Sequence, residues 1–274
     1  MDERFERAMA ATKRAYAFLE DKGYKVLAVN LYGSQNYDLD TPESDFDFKA
    51  LVFPSFMDMV LGKPQVSKDY EFEGGLIDVK SAPKMFENYK KMNTNFMETL
   101  FTRWYVANPD YAEDWERVRA LAPRLAYADP KKAMNALVGM AMEKAHALTH
   151  PYEGKLQVLA EHGYDGKQLS HELRLNIMFD KYAAHLPYEE VLMPSEEDRK
   201  RLIDLKLWRP QLELEEARRL AKLYVDELEA KKAAVFEKGE LRVDLGAFER
   251  LDALLMDMLK RAFRDDVLRE DFLD

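Results

Sequence analysis

The sequence predicts an α+β protein in which a sheet-containing N-terminal half is followed by an all-helical C-terminal half. Three observations predict it. Up to about residue 110, short β-rich runs alternate with turn formers, and after residue 128 apolar residues recur with a 3.6-residue period. The third is length: 274 residues fit one large domain or two ordinary ones. Hydrophobic residues at 47% and charged residues at 34% support a packed core and exclude wholesale disorder.

The chain opens with a helix, because Phe5, Ala8, Met9, Tyr16 and Leu19 fall on one stripe with Thr12 as its single polar member. The same segment mixes acids and bases, so it is neither a signal nor a transit peptide. Strands are expected at 25–34, 45–53, 69–73 and 76–81, the last two joined as a hairpin through Gly74 and Gly75. Residues 93–101 begin a helix capped by Asn93 or Asn95, with Phe96, Leu100 and Phe101 packed inward. Glu98 in that segment serves packing or reaches a ligand or basic partner. Pro109, Pro123 and a short helix at 112–120 mark a join at 108–128, which separates a domain at 1–110 from one at 128–274. Beyond it, helices are expected at 129–150, begun by Asp129-Pro130, and at 167–182, 195–207, 213–236 and 245–263. The charge-rich stretch 212–240 reads as a solvated helix face.

Composition excludes several classes of function. No cysteine is present, which removes disulfides, thiolate metal sites and cysteine nucleophiles and fits a reducing compartment. No run approaches the ~18 apolar residues of a membrane span, so a soluble cytoplasmic protein without a membrane partner is expected. A net charge of −10 disfavours a whole-surface grip on nucleic acid, while leaving room for a local basic patch. His146 and His150 stand one helical turn apart, a zinc-compatible spacing, but have no third ligand nearby.

The chemistry concentrates at residues 31–49. Side chains alternate along a strand, so Asp45 and Asp47 project to one side and Phe46 and Phe48 to the other. Neighbouring carboxylates repel, and a divalent cation, best Mg²⁺, keeps both ionised. Gly33 lets backbone approach a ligand, and Ser34 offers a hydroxyl and an amide to a phosphate oxygen. Together these suit a metal-bound triphosphate. The plain alternative is a wet edge strand after a simple turn, which the scarcity of Asp in strands makes less attractive. Lys167, His171, Arg174 and Lys181 share one helical face. That basic stripe either holds a triphosphate tail or nucleic-acid phosphate, or is solvated and paired with Asp165, Glu172 or Asp180.

Gly33-Ser34, ten further residues, then Asp45-Phe46-Asp47-Phe48 resembles the signature of the DNA polymerase beta nucleotidyltransferase superfamily. More closely, the chain resembles the family called RNA repair pathway DNA polymerase beta. Three passages carry the likeness: Gly33-Ser34 through Thr41-Pro42-Glu43-Ser44-Asp45-Phe46-Asp47; Asn93-Thr94-Asn95-Phe96-Met97-Glu98-Thr99-Leu100-Phe101; and Gly163-Tyr164-Asp165-Gly166-Lys167 on to His171 and Arg174. The resemblance implies a nucleotidyltransferase-fold mixed sheet with flanking helices, and transfer of a nucleoside monophosphate from ATP or another NTP to a hydroxyl with release of pyrophosphate. It implies two Mg²⁺ ions, replaceable by Mn²⁺, on Asp45 and Asp47, with Asp78 as a third acid for which Glu71 and Glu73 compete. Gly33, Ser34, Lys167, His171 and Arg174 would contact the nucleotide between the two domains. The expected acceptor is an RNA end such as that of a tRNA, a protein side chain or a small molecule. The rival readings are a catalytically silent nucleotide-binding module and a toxin or antitoxin component that modifies or masks a protein.

Overall fold

The structure, a computed structural model, describes residues 3–41, 44–151, 153–239 and 241–269. In chain order its elements are α1 (Glu3–Asp21), β1 (Val26–Tyr32), β2 (Asp47–Val52), α2 (Phe56–Val60), β3 (Ser67–Phe72), β4 (Gly75–Ser81), α3 (Ala82–Lys90), α4 (Thr94–Met97), β5 (Tyr105–Ala107) and α5 (Ala112–Leu125). They continue with α6 (Pro130–Ala147), α7 (Leu156–His162), α8 (Gly166–Ala183), α9 (Tyr188–Leu192), α10 (Glu196–Lys206), α11 (Leu214–Glu237) and α12 (Leu245–Arg269). The α+β class is the one the sequence predicts.

Two compact units result. The first takes the chain up to Asn36, then Asp40–Ala128, and the chain from Asp244 onward; the second takes Tyr37–Leu39 and Asp129–Val243. This division differs from a cut into 1–110 and 128–274. Helix α5 is part of the first unit and not a join, and α12 belongs to that unit too. Lys90 pairs with Asp252 at 2.8 Å, and Phe56 meets Phe263 edge to face with ring centroids 5.7 Å apart. Nothing in the periodicity of α12 reveals which unit its apolar face covers.

The first unit is built on a five-stranded mixed sheet of order β3-β4-β2-β1-β5, in which β2 and β4 run parallel and the other neighbours antiparallel. Small residues on α1, namely Ala8, Ala11 and Ala15, bring that helix close to one sheet face, where it meets Leu31, Phe48, Ala50, Val52, Ile77 and Val79. Alternation then assigns Asn30, Tyr32, Asp47, Lys49, Asp78 and Lys80 to the opposite face. The β3–β4 hairpin turns one residue earlier than expected. Glu73 and Gly74 carry the consecutive positive φ values, +49° and +88°, that a two-residue hairpin loop needs. Gly75 is thereby placed inside β4, where a Cβ would stand 2.3 Å from the Phe46 carbonyl oxygen.

In the second unit, α6, α8, α10 and α11 enclose a core of Leu148, Leu169, Leu173, Leu202, Leu205, Ala217 and Ala221, joined by Tyr37 and Leu39. Asp129 caps α6 as expected, accepting from the Lys132 amide at 3.0 Å. No helix among the described residues is long and apolar enough to cross a membrane.

Candidate active site

The sequence-predicted glycine and aspartates come together in the first unit. Gly33 follows directly on β1 with φ of +89°, a conformation that L side chains rarely adopt. Its amide donates to Glu98 Oε1 at 3.3 Å, and a Cβ here would sit 4.0 Å from Asp47 Oδ2. The glycine is therefore required for its backbone angle more than for space. Ser34 opens the short 3-10 turn Ser34–Tyr37.

Asp47 is the first residue of β2 and pairs in register with Tyr32. Asp45 lies two residues before it, outside the strand and exposed, while Asp47 is half-buried. Both rest against the hairpin end: Asp45 Oδ1 is 3.6 Å from the position of a Gly74 Cβ, and Asp47 Oδ1 is 3.2 Å from that of Gly75. Asp47 Oδ1 also accepts from the Leu76 amide at 3.0 Å, which fixes its rotamer. A Cβ at Gly75 would crowd Asp47, whereas one at Gly74 would only touch Asp45.

Asp78 shares the polar face but is otherwise engaged. Its Oδ2 accepts from Lys49 Nζ at 2.9 Å and its Oδ1 from Lys80 Nζ at 2.5 Å. Burial alone would raise the Asp78 pKa, yet the two ammonium groups outweigh it and hold the carboxyl below its ordinary value. Glu73, one of its rivals from the hairpin, is committed to Arg14 through bonds of 2.6 and 2.7 Å. Burial, followed by the charges of Asp47, Asp78, Glu98 and Asp69, pushes the Tyr32 phenol far up. Tyr32 is therefore a neutral phenol on this face. Among the described residues, however, no three His, Cys, Asp or Glu side chains form a group able to hold a metal ion. Asp45 and Asp47, the two carboxylates that reach the hairpin end, are not joined by a third acid.

The basic stripe of α8 belongs to the second unit and is less uniform than its spacing implies. Arg174 is buried with its guanidinium 3.5 Å from the Tyr37 ring centroid, and Lys181 Nζ donates to the carbonyls of Glu190 and Met193 at the end of α9. Lys167 stays exposed in the first turn. Burial, reinforced by Arg174, Lys167, Lys144 and Lys206, drives the His171 pKa well down, so this imidazole is neutral. The acids expected as partners go elsewhere: Asp165 to Lys155 at 3.1 Å and Asp180 to Lys231 at 2.8 Å.

Sequence reasoning passed over Lys49, Lys80 and Phe96 as site residues. The available signal was Lys49 itself, a cation inside the apolar run Phe48-Lys49-Ala50-Leu51. For Glu98, packing and ligand contact were both open; in the structure it is buried and holds the Gly33 amide.

No protein-family model matches the chain, and no curated protein matches it. Among solved structures, the chain is similar to the crystal structure, at 1.90 Å resolution, of a nucleotidyltransferase-like protein from Exiguobacterium sibiricum 255-15. The two are 11% identical with a TM-score of 0.29, over 84% of this chain and 77% of that one.

Proposed function

We propose that this chain is a metal-dependent nucleotidyltransferase that moves a nucleoside monophosphate from an NTP to a hydroxyl acceptor and releases pyrophosphate. The observation that supports it most is the meeting of left-handed Gly33, at the end of β1, with the Asp47 carboxylate at the head of β2, two residues after Asp45. Asp45 and Asp47 are the residues that hold Mg²⁺, or Mn²⁺ in its place. When bound, the ion neutralises phosphate charge and favours the acceptor's alkoxide. The Leu76 amide orients Asp47 for that task. Gly33 and Ser34 position the triphosphate, the glycine through close backbone approach and the serine through its hydroxyl. Lys167 and His171 of the helical unit are the α8 residues proposed for phosphate, while Arg174 is stacked on Tyr37.

An RNA end or a protein side chain is the proposed acceptor class, and the net charge of −10 confines a nucleic-acid footprint to a local patch. Incubation with Mg²⁺ and each labelled NTP, with and without total RNA, is expected to transfer label in the wild type and not in Asp45→Ala/Asp47→Ala. Absence of both metal-dependent nucleotide binding and label transfer rules the enzyme out. The capture of Asp78 by two lysines favours, as a second reading, a nucleotide-binding module without turnover. Nucleotide binding with no transfer to any acceptor selects it.

A further inference from the structure

On the polar sheet face, Asp78 stands directly opposite Lys49 in the parallel β2–β4 pair. Each of its oxygens already has an ammonium partner, Lys49 at 2.9 Å and Lys80 at 2.5 Å. Lys49 is further confined between aromatic rings, its Nζ 4.1 Å from the Tyr32 centroid and 4.7 Å from that of Phe96. All three charged side chains are largely sequestered, with 7% of Lys49, 13% of Lys80 and 14% of Asp78 exposed. Both carboxylate oxygens are already taken, so a divalent cation arriving at Asp78 must displace two ammonium partners from a largely buried ion pair. A second cation does not fit here.

We infer that the site takes a single divalent cation, at Asp45 and Asp47, and that Lys49 and Lys80, held by Asp78, supply the positive charge that a second cation would otherwise bring. Asp78 is then a positioning residue, and the ligand feature that the lysine pair serves is an anionic oxygen of a phosphate or of the acceptor. Only the location of the first ion rests on the function proposed above; the lysine occupancy of Asp78 is independent of it.

Electron paramagnetic resonance titration with Mn²⁺ alone, without nucleotide, tests the inference, and thermal melting of each variant confirms that it is folded. The wild type is expected to bind one ion per chain and Asp45→Asn/Asp47→Asn none. Asp78→Asn, which keeps an oxygen for the lysines, still binds one ion with Kd changed by less than about threefold. Lys80→Met uncovers one oxygen of Asp78 and gains a second, weaker ion; Lys49→Met/Lys80→Met strengthens it. Two ions in the wild type, or a loss of about tenfold or more in affinity on Asp78→Asn, overturns the inference. So does the failure of both lysine variants to gain an ion. If the wild type binds no Mn²⁺, the Asp45–Asp47 assignment fails, while an ion gained by Lys80→Met still decides for the lysines and its absence against them.

Discussion

The polar face of the sheet and helix α8 both bury a carboxyl group, and they treat it in opposite ways. On the sheet, Asp78 keeps its charge because two ammonium groups reach it. On α8, Glu172 is fully buried with neither carboxylate oxygen hydrogen-bonded, and burial pushes its pKa up to about 8. The first is an ion held in place; the second is a neutral acid at neutral pH. The difference shows that a buried carboxyl keeps its charge where ammonium partners reach it and loses it where desolvation acts alone.

The largest effect is expected from breaking the sheet side. Asp78→Ala leaves two buried ammonium groups facing each other and should cost about 3–5 kcal/mol of stability, read by urea denaturation. A loss under about 1 kcal/mol would mean the ion pairs behave as exposed ones.

Next comes pH. Glu172 has a folded pKa of about 8, raised from an ordinary 4.5, so its stabilising contribution is full below pH 4.5 and is lost as pH rises through 8. That loss is on the order of 4 kcal/mol by pH 8.5 and should vanish in Glu172→Gln. Asp78 works with the other sign: its pKa is lowered, so its contribution is present above the ordinary carboxylate range and is lost as pH falls below it. Denaturation midpoints across pH separate the two slopes, and a slope unchanged in Glu172→Gln would assign it elsewhere.

The smallest effect sharpens the α8 side. Tyr37→Leu removes the ring beneath Arg174 and should cost about 1–2 kcal/mol while leaving Mn²⁺ affinity untouched. A change in Mn²⁺ affinity would mean that Tyr37 serves the carboxylate site as well as the helical core.

What could be read in the sequence was local. The α1 stripe, the strands at 25–34 and 45–53 and the Asp129 cap each depend on neighbours within a few residues and recur in the structure, whereas β2 starts at Asp47 and leaves Asp45 outside the expected alternation. What could not be read depended on partners far along the chain. Lys49 meets Asp78 only because β2 and β4 pair in parallel, 29 positions apart. Glu172 is polar on a helix with a regular charged pattern, and only packing makes it buried. Glycine's preference for positive φ points to Gly74 and Gly75 as the hairpin loop, yet Glu73 accepts that conformation, and Gly75 is needed instead for its close approach to Phe46. A three-residue strand such as β5 is too short for any period to announce it.

The division of the chain also bears on its birth at the ribosome. The first unit includes α12, yet 115 residues of the second unit, Asp129–Val243, are made between Ala128 and the start of that last segment. At translation rates of about 5–20 residues per second, the sheet unit waits roughly 6–23 seconds for its final helix. Through that interval the surface that will receive Phe263 and Asp252 has no cover from its own chain. The helical unit, whose own stretch is continuous apart from Tyr37–Leu39, is synthesised in full before the sheet unit receives that helix.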